Sequence, residues 1–171
     1  EDFSNLALPV GVNWDKRNSK TDATHGFYID AEASPFLGLD TTDSGVKLEV
    51  DARAYRAFGE NDRVTLAARL QAKGVFGASI DNLSPDYLYY SGGGGTVRGQ
   101  EYQSLGFTSA TTGGSTGGTG FLGASFELRT KVTKNIGVVG FADFGQIASE
   151  GMFGGSTLSQ AGAGLGLRYA T

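Results

Sequence analysis

The sequence has no cysteine, one histidine, one methionine, one tryptophan and three prolines among 171 residues. Without cysteine there is no disulfide, no thiolate nucleophile and no zinc-thiolate centre. The lone His25 falls in an expected turn between Thr24 and Gly26, with no cluster of ligands around it to make a metal site. No run of 18 apolar residues exists, which excludes a membrane-crossing helix. The N-terminus also lacks the charged start and apolar stretch of a signal peptide, so the chain is expected to begin within a longer protein or at a processed end. A net charge of -4 argues against nucleic acid as a partner, since that needs a basic surface.

The glycine-rich runs Gly92 to Gly95 and Gly113 to Gly120 lack the Gly-Lys-Ser/Thr ending of a phosphate loop and precede strands, not helices; they read as mobile linkers. Asp40, Asp43 and Gly45 lack the spacing and terminal glutamate of a calcium loop and read as a surface turn. No catalytic constellation, metal site or cofactor is expected, and the chain reads as a non-enzyme.

What the sequence does contain is alternation. From Val64 to Phe76 every second residue is apolar or glycine, with Thr65, Arg69, Gln71 and Lys73 among those between. Leu122 to Val132 repeats the pattern against Ser125, Glu127, Arg129 and Lys131. Period two is the signature of a strand with one apolar face. Leu6 to Trp14, Phe27 to Leu37, Val46 to Ala54, Ile136 to Gly145 and Ala161 to Tyr169 behave alike, which makes seven strands. Thirteen residues at about 3.3 Å each extend roughly 43 Å, or about 30 Å of height when tilted near 45°, which matches a bilayer core. Strands this long, oily on one face and charged on the other, read as an all-β antiparallel meander, a transmembrane β-barrel.

The connections support this. Gly59 to Asp62 and Thr133 to Asn135 are tight, whereas Gly38 to Gly45, Ala78 to Gly120 and Ile147 to Gln160 are expected as long loops on one rim. Short turns face the periplasm in outer-membrane barrels, so the loop at 78–120 should start on the extracellular side. Lys16 to His25, a middling connection on the turn rim, departs from the scheme. Seven strands cannot close a barrel that uses an even number, and an open edge in lipid is costly, so the chain reads as part of a larger barrel unless Asp86 to Tyr90 supplies an eighth strand.

Inside the long loop lies Gly92-Gly93-Gly94-Gly95-Thr96-Val97-Arg98-Gly99-Gln100-Glu101-Tyr102-Gln103-Ser104-Leu105-Gly106. Parity places Glu127 and Asp143 on the polar, lumenal face, where a planar guanidinium folded inward would find acceptors. The loop motif, Val97, Arg98, Gly99, Gln100 and Tyr102, resembles the signature of loop six in the outer-membrane assembly factors of the BamA and TamA superfamily, and is most similar to the TamA branch. Phe141-Ala142-Asp143-Phe144-Gly145 resembles the aromatic-x-Asp-x-Gly strand that receives the loop arginine there, and Glu127 the acidic position on the preceding strand. Asp15-Lys16-Arg17, with Asp22 and Gly26-Phe27, is similar to a turn and strand start common in these barrels. Where many members carry an aromatic after Arg-Gly, this chain has Gln100; the packing role of that aromatic either passes to Tyr102 or is absent.

The resemblance implies that residues 1–171 form the C-terminal part of a sixteen-stranded barrel, roughly its strands eight to fourteen, in the bacterial outer membrane. It implies an assembly and translocation factor that helps β-barrel proteins such as autotransporters insert or be secreted. Its partners would be outer-membrane lipid, client outer-membrane proteins and a periplasm-spanning protein of the TamB type. The alternative is a passive barrel, structural, adhesive or a porin.

Overall fold

Alternation of this kind leaves each strand's backbone to be paired by its neighbours, and the computed structural model, which describes residues 3–109 and 113–169, pairs them in simple sequence order. The strands are β1 (Ser4–Ala7), β2 (Val10–Asp15), β3 (Gly26–Leu39), β4 (Gly45–Phe58), β5 (Val64–Phe76), β6 (Phe107–Thr108), β7 (Ser115–Thr116), β8 (Gly120–Lys131), β9 (Ile136–Glu150) and β10 (Gly154–Tyr169). All but β6 and β7 form one antiparallel sheet, in which β1 and β2 both lie on β3 and the order then runs β3-β4-β5-β8-β9-β10. The expected all-β meander is therefore the observed one. The sheet is open: no ladder joins β10 to β1 or β2 among the described residues.

Two expectations need correction. The strand expected from Leu6 to Trp14 is two strands, interrupted at Leu8 and Pro9. Its register against β3 runs on unchanged across the gap, from Ala7 opposite Phe36 to Val10 opposite Ala33. Prolines on both sides of the break, Pro9 and Pro35, have no N–H to give the ladder.

The long loop expected from Ile147 to Gln160 is instead a hairpin: β9 runs to Glu150 and β10 starts at Gly154, with one irregularity between Gly154 and Thr157. Ser149, Glu150, Ser156 and Thr157 lack the apolar alternation because a hairpin end beyond the lipid band needs only backbone pairing. The alternative of an eighth strand at Asp86 to Tyr90 does not hold. Pro85–Tyr87 is a single 3-10 turn, and Tyr89 bridges Gly118 of the same loop.

The faces divide as the alternation requires. Leu66, Leu70, Phe126, Leu128, Leu165 and Leu167 stand on the outside, with Leu165 84% exposed. The opposite face carries Glu49, Asp51, Arg53, Arg69, Lys73, Glu127, Arg129 and Asp143. Like charges meet directly in the register there, Arg53 opposite Arg69. Asp51 reconciles them by accepting from Nε and Nη2 of both arginines, at 2.6 to 3.1 Å.

At the loop rim the inner face turns apolar. Phe36 and Val75 are buried there with Leu83 of the loop, and the ring of Tyr87 lies 4.7 Å from that of Phe36. The base of the loop thus packs into the mouth of the sheet. The two faces should respond differently to charge: Leu70→Arg is expected to cost about 2 to 4 kcal/mol and Lys73→Gln on the other face of β5 less than about 1 kcal/mol, measured by denaturant unfolding in lipid vesicles.

Candidate functional site

The loop between β5 and β8 folds back onto the inner face of the sheet because it has its own framework. Its start is fixed by Asp43, whose Oδ2 accepts from the Ser79 N–H and Oγ–H, both at 3.0 Å. These bonds, the backbone one first, hold the Asp43 carboxyl below the usual carboxylate range. Further in, Tyr89 pairs with Gly118, Ser91 with Leu105, and Gly93 with Val97, while β6 pairs with β7. The glycine-rich runs are accordingly built into paired structure on both sides of residues 110–112, which lie outside the described residues; mobile linkers was the wrong reading of them. Glycine permits such close backbone approach, and that use leaves no mark in composition distinguishable from flexibility.

Within this framework Arg98 meets β8 and β9. Its backbone N–H donates to Asp143 Oδ2 at 3.0 Å, its Nε to the same oxygen at 2.7 Å and its Nη2 to Oδ1 at 2.8 Å. Its Nη1 donates to Glu127 Oε1. The other oxygen of Glu127 accepts from Arg129 Nε at 2.7 Å. The guanidinium carbon lies 3.9 Å from the centre of the Phe141 ring, so an aromatic face covers one side of the cation. Asp143 is 4% exposed, and its bonds to Arg98 first, then those of Glu127, raise the arginine's pKa above its ordinary value. The residues singled out on three separate segments, Arg98, Glu127 and the Phe141 to Gly145 strand, are brought together.

Gly145 completes the fit from the strand side. A Cβ there would lie 2.2 Å from Ser91 Oγ and 2.8 Å from a Val97 methyl. Val97 is fully buried in that space. On β10, a Cβ at Gly162 would lie 2.2 Å from the Arg98 carbonyl oxygen, so the loop backbone rests directly on the strand. Gln100, whose role the sequence left open, donates from Nε2 to the Ala161 carbonyl at 2.9 Å. Tyr102 is 80% exposed and does not fill an inner pocket; its ring lies over Gly93.

Sequence reasoning missed the second anchor. Ser91, fully buried, accepts through Oγ from Gln160 Nε2 at 3.0 Å, and Ser104 Oγ donates to Gln160 Oε1 at 3.3 Å. The available signal is parity: Gln160 continues the lumenal series of Gly162, Gly164 and Gly166, just before the apolar alternation that begins at Ala161. Arg69 was missed as well; it donates to the Gly95 carbonyl at 3.2 Å. Under the loop a cavity of about 180 Å³ remains among Arg53, Arg69, Arg98, Glu127 and Arg129. It is a polar, charge-paired space.

Comparison with known proteins fits this geometry. A family model described as the Omp85 superfamily domain matches residues 1–171. Among solved structures, the chain is similar to BamA from Haemophilus ducreyi lacking POTRA domains 1-3, with a TM-score of 0.76 and 16% identity. That match covers 96% of this chain and 36% of the other, so the chain spans about a third of its length. No curated protein matches the chain by sequence.

Arg98→Ala is expected to destabilise the barrel by about 2 to 4 kcal/mol, somewhat below the cost of breaking a fully buried pair because the arginine keeps 29% exposure. Denaturant unfolding checks this, and Arg98→Lys, which cannot reproduce the planar fork, should recover less than half of the loss. Because the Asp43 pKa is lowered on folding, its contribution is complete above the ordinary value of 3.8 and fades only as the pH falls through the lower folded value. Amide exchange at residues 79–83 should thus be unaffected by Asp43 titration between neutral pH and 5, while Asp43→Asn speeds it at neutral pH.

Proposed function

The chain belongs to the Omp85 superfamily, whose barrels reside in the bacterial outer membrane, and from that premise we propose that it is the C-terminal part of the barrel domain of an outer-membrane assembly factor. Such a protein helps other β-barrel proteins insert or be secreted by offering a weak lateral seam and a distorted membrane, with no chemical turnover. Within the family we assign it to the TamA type. Its clients would be autotransporters, and its partner a periplasm-spanning protein of the TamB type.

The observation that carries this reading is the lodging of Arg98 between Asp143 and Glu127. A passive pore is lined well enough by the charged ladder of β4 and β5 and needs no loop arginine bound through its backbone and its side chain to one strand. A loop held this way ties β8, β9 and β10 to one lumenal element, which keeps part of the wall stiff while another part opens. Extended clients can be templated on an exposed strand edge by main-chain hydrogen bonds.

The test is depletion of the full-length protein from its host, followed by complementation. Wild type should restore surface display of autotransporters, and Arg98→Ala should restore less at equal membrane abundance. General loss of outer-membrane barrels without a selective autotransporter defect would replace the TamA-type assignment by a general insertion role. No change in either would defeat the assembly reading.

A further inference from the structure

Residues 16–25, joining β2 to β3, do not hang free below the sheet. Asn18 Oδ1 accepts from the backbone N–H groups of Thr24 and His25 at 3.0 and 3.1 Å, and Asn18 Nδ2 donates to Thr24 Oγ1 at 2.8 Å. This folds the turn inward, with Ala23 and Thr24 buried. It then reaches far strands: Arg129 Nη1 donates to the Ala23 carbonyl at 3.5 Å, and Arg168 Nη2 to Asp22 Oδ1 at 3.0 Å. The turn therefore crosses the short-turn mouth of the curved sheet.

Between it, the β8–β9 turn and the end of β10 lies a cleft of about 490 Å³. Its charged lining is Arg63, Arg129, Lys131, Lys134 and Arg168 against a single carboxylate, Asp22, among the described residues. In a chain with 18 acidic and 14 basic residues, one cleft holding five cations and one acid is a strong local excess. Arg129 is committed to Glu127, and Lys131 gives a bond to the Asn61 carbonyl at 3.3 Å. Asp62, on the neighbouring turn, bonds Thr24 and His25 and also lies close enough to Lys131 to interact with its charge. Arg63 and Lys134 are exposed, and the Arg168 side chain keeps 37% exposure.

We propose that this cleft is a docking site for the carboxylates of an acidic polypeptide segment, and that Asp22 occupies one carboxylate position in the free protein. Three observations favour a polypeptide over a lipid phosphate. Arg129, Lys131 and Arg168 stand on the inner faces of β8 and β10, opposite the apolar face that meets lipid. The cations come from several elements, Arg63 before β5, Arg129 and Lys131 on β8, Lys134 in the β8–β9 turn and Arg168 on β10, so that a ligand with more than one carboxylate can engage them. Arg168 already pairs with a carboxylate in the cleft, that of Asp22 at 3.0 Å. Such a site at the short-turn mouth would hold an acidic segment of a client or of a periplasmic domain at the entrance to the lumen. That placement rests on the proposed outer-membrane assembly role, with the short turns facing the periplasm, whereas binding in detergent does not, so the two can fail separately.

The experiment uses the full-length protein in a zwitterionic detergent and fluorescein-labelled hexaglutamate, with hexaglutamine as control, followed by anisotropy. Hexaglutamate should bind in a salt-sensitive manner and hexaglutamine should not. Combined Lys131→Gln, Lys134→Gln and Arg168→Gln should weaken binding about tenfold, as expected for three partly exposed charge contacts. Asp22→Asn should strengthen it severalfold by releasing Arg168, a gain that a merely structural role for the pair would not produce. If the triple variant loses the heat-dependent electrophoretic shift of a folded barrel, Lys134→Gln alone and Asp22→Asn decide the matter. Equal binding of both peptides, indifference to these variants, or complete displacement by inorganic phosphate at matched charge would overturn the proposal, the last identifying a small-anion or lipid-phosphate site.

Discussion

A guanidinium carried into a barrel lumen remains charged at any pH the protein meets, so the strands that receive it must present carboxylates at the right height and spacing. Arg98 imposes that constraint, and much of the surrounding structure answers it. Asp143 takes both its backbone and its side chain, Glu127 takes the remaining edge, and Phe141 covers the face. Gly145 and Gly162 have no side chain because the Ser91 and Val97 side chains occupy that space at the first and the Arg98 carbonyl at the second. Ser91 and Gln160 then fix the neck of the loop on β10. Remove the cation, and three strands lose their common partner.

The same logic of satisfied charge runs through the rest of the inner face. Asp51 reconciles Arg53 with Arg69, and Arg69 passes a further bond to the loop at Gly95. Tyr89 of the loop donates to Glu49 at 2.9 Å, between Lys47 and Lys73. The loop is thus held at its base by apolar packing around Phe36 and Val75, in its middle by these polar bonds and at its tip by Arg98. Only near the short-turn mouth does the balance tilt, where cations outnumber their acceptors. An outer wall that is mainly apolar and an inner wall that is charge-paired are what lipid and water on opposite sides of one sheet demand.

The strands were legible in the sequence because burial in lipid on one side and water on the other writes a period of two into every residue from Val64 to Phe76 or Leu122 to Lys131. The meeting of Arg98 with Glu127 and Asp143 came from parity combined with a resemblance; the loop alone gave no distance. Illegible were features that alternation does not encode. The β9–β10 hairpin end, from Ser149 to Thr157, pairs by backbone with no apolar face to betray it. The break at Leu8 and Pro9 depends on a second proline across the ladder. The Asn18-centred fold of residues 16–25 uses one side chain for three bonds, and its reach to Arg168 crosses 146 positions of sequence. Contacts of that separation are set by the curvature of the whole sheet.

The central claim is that Arg98 holds the loop against β9 and β10 in the assembled barrel. Since this chain has no cysteine, Ser104→Cys and Gln160→Cys can be introduced together and bridged in intact outer membranes by a short bifunctional thiol reagent. Efficient bridging, lost when Arg98→Ala is added while both thiols still react singly, is the expected result. Bridging that is absent with Arg98 in place, or equally efficient without it, would contradict the claim.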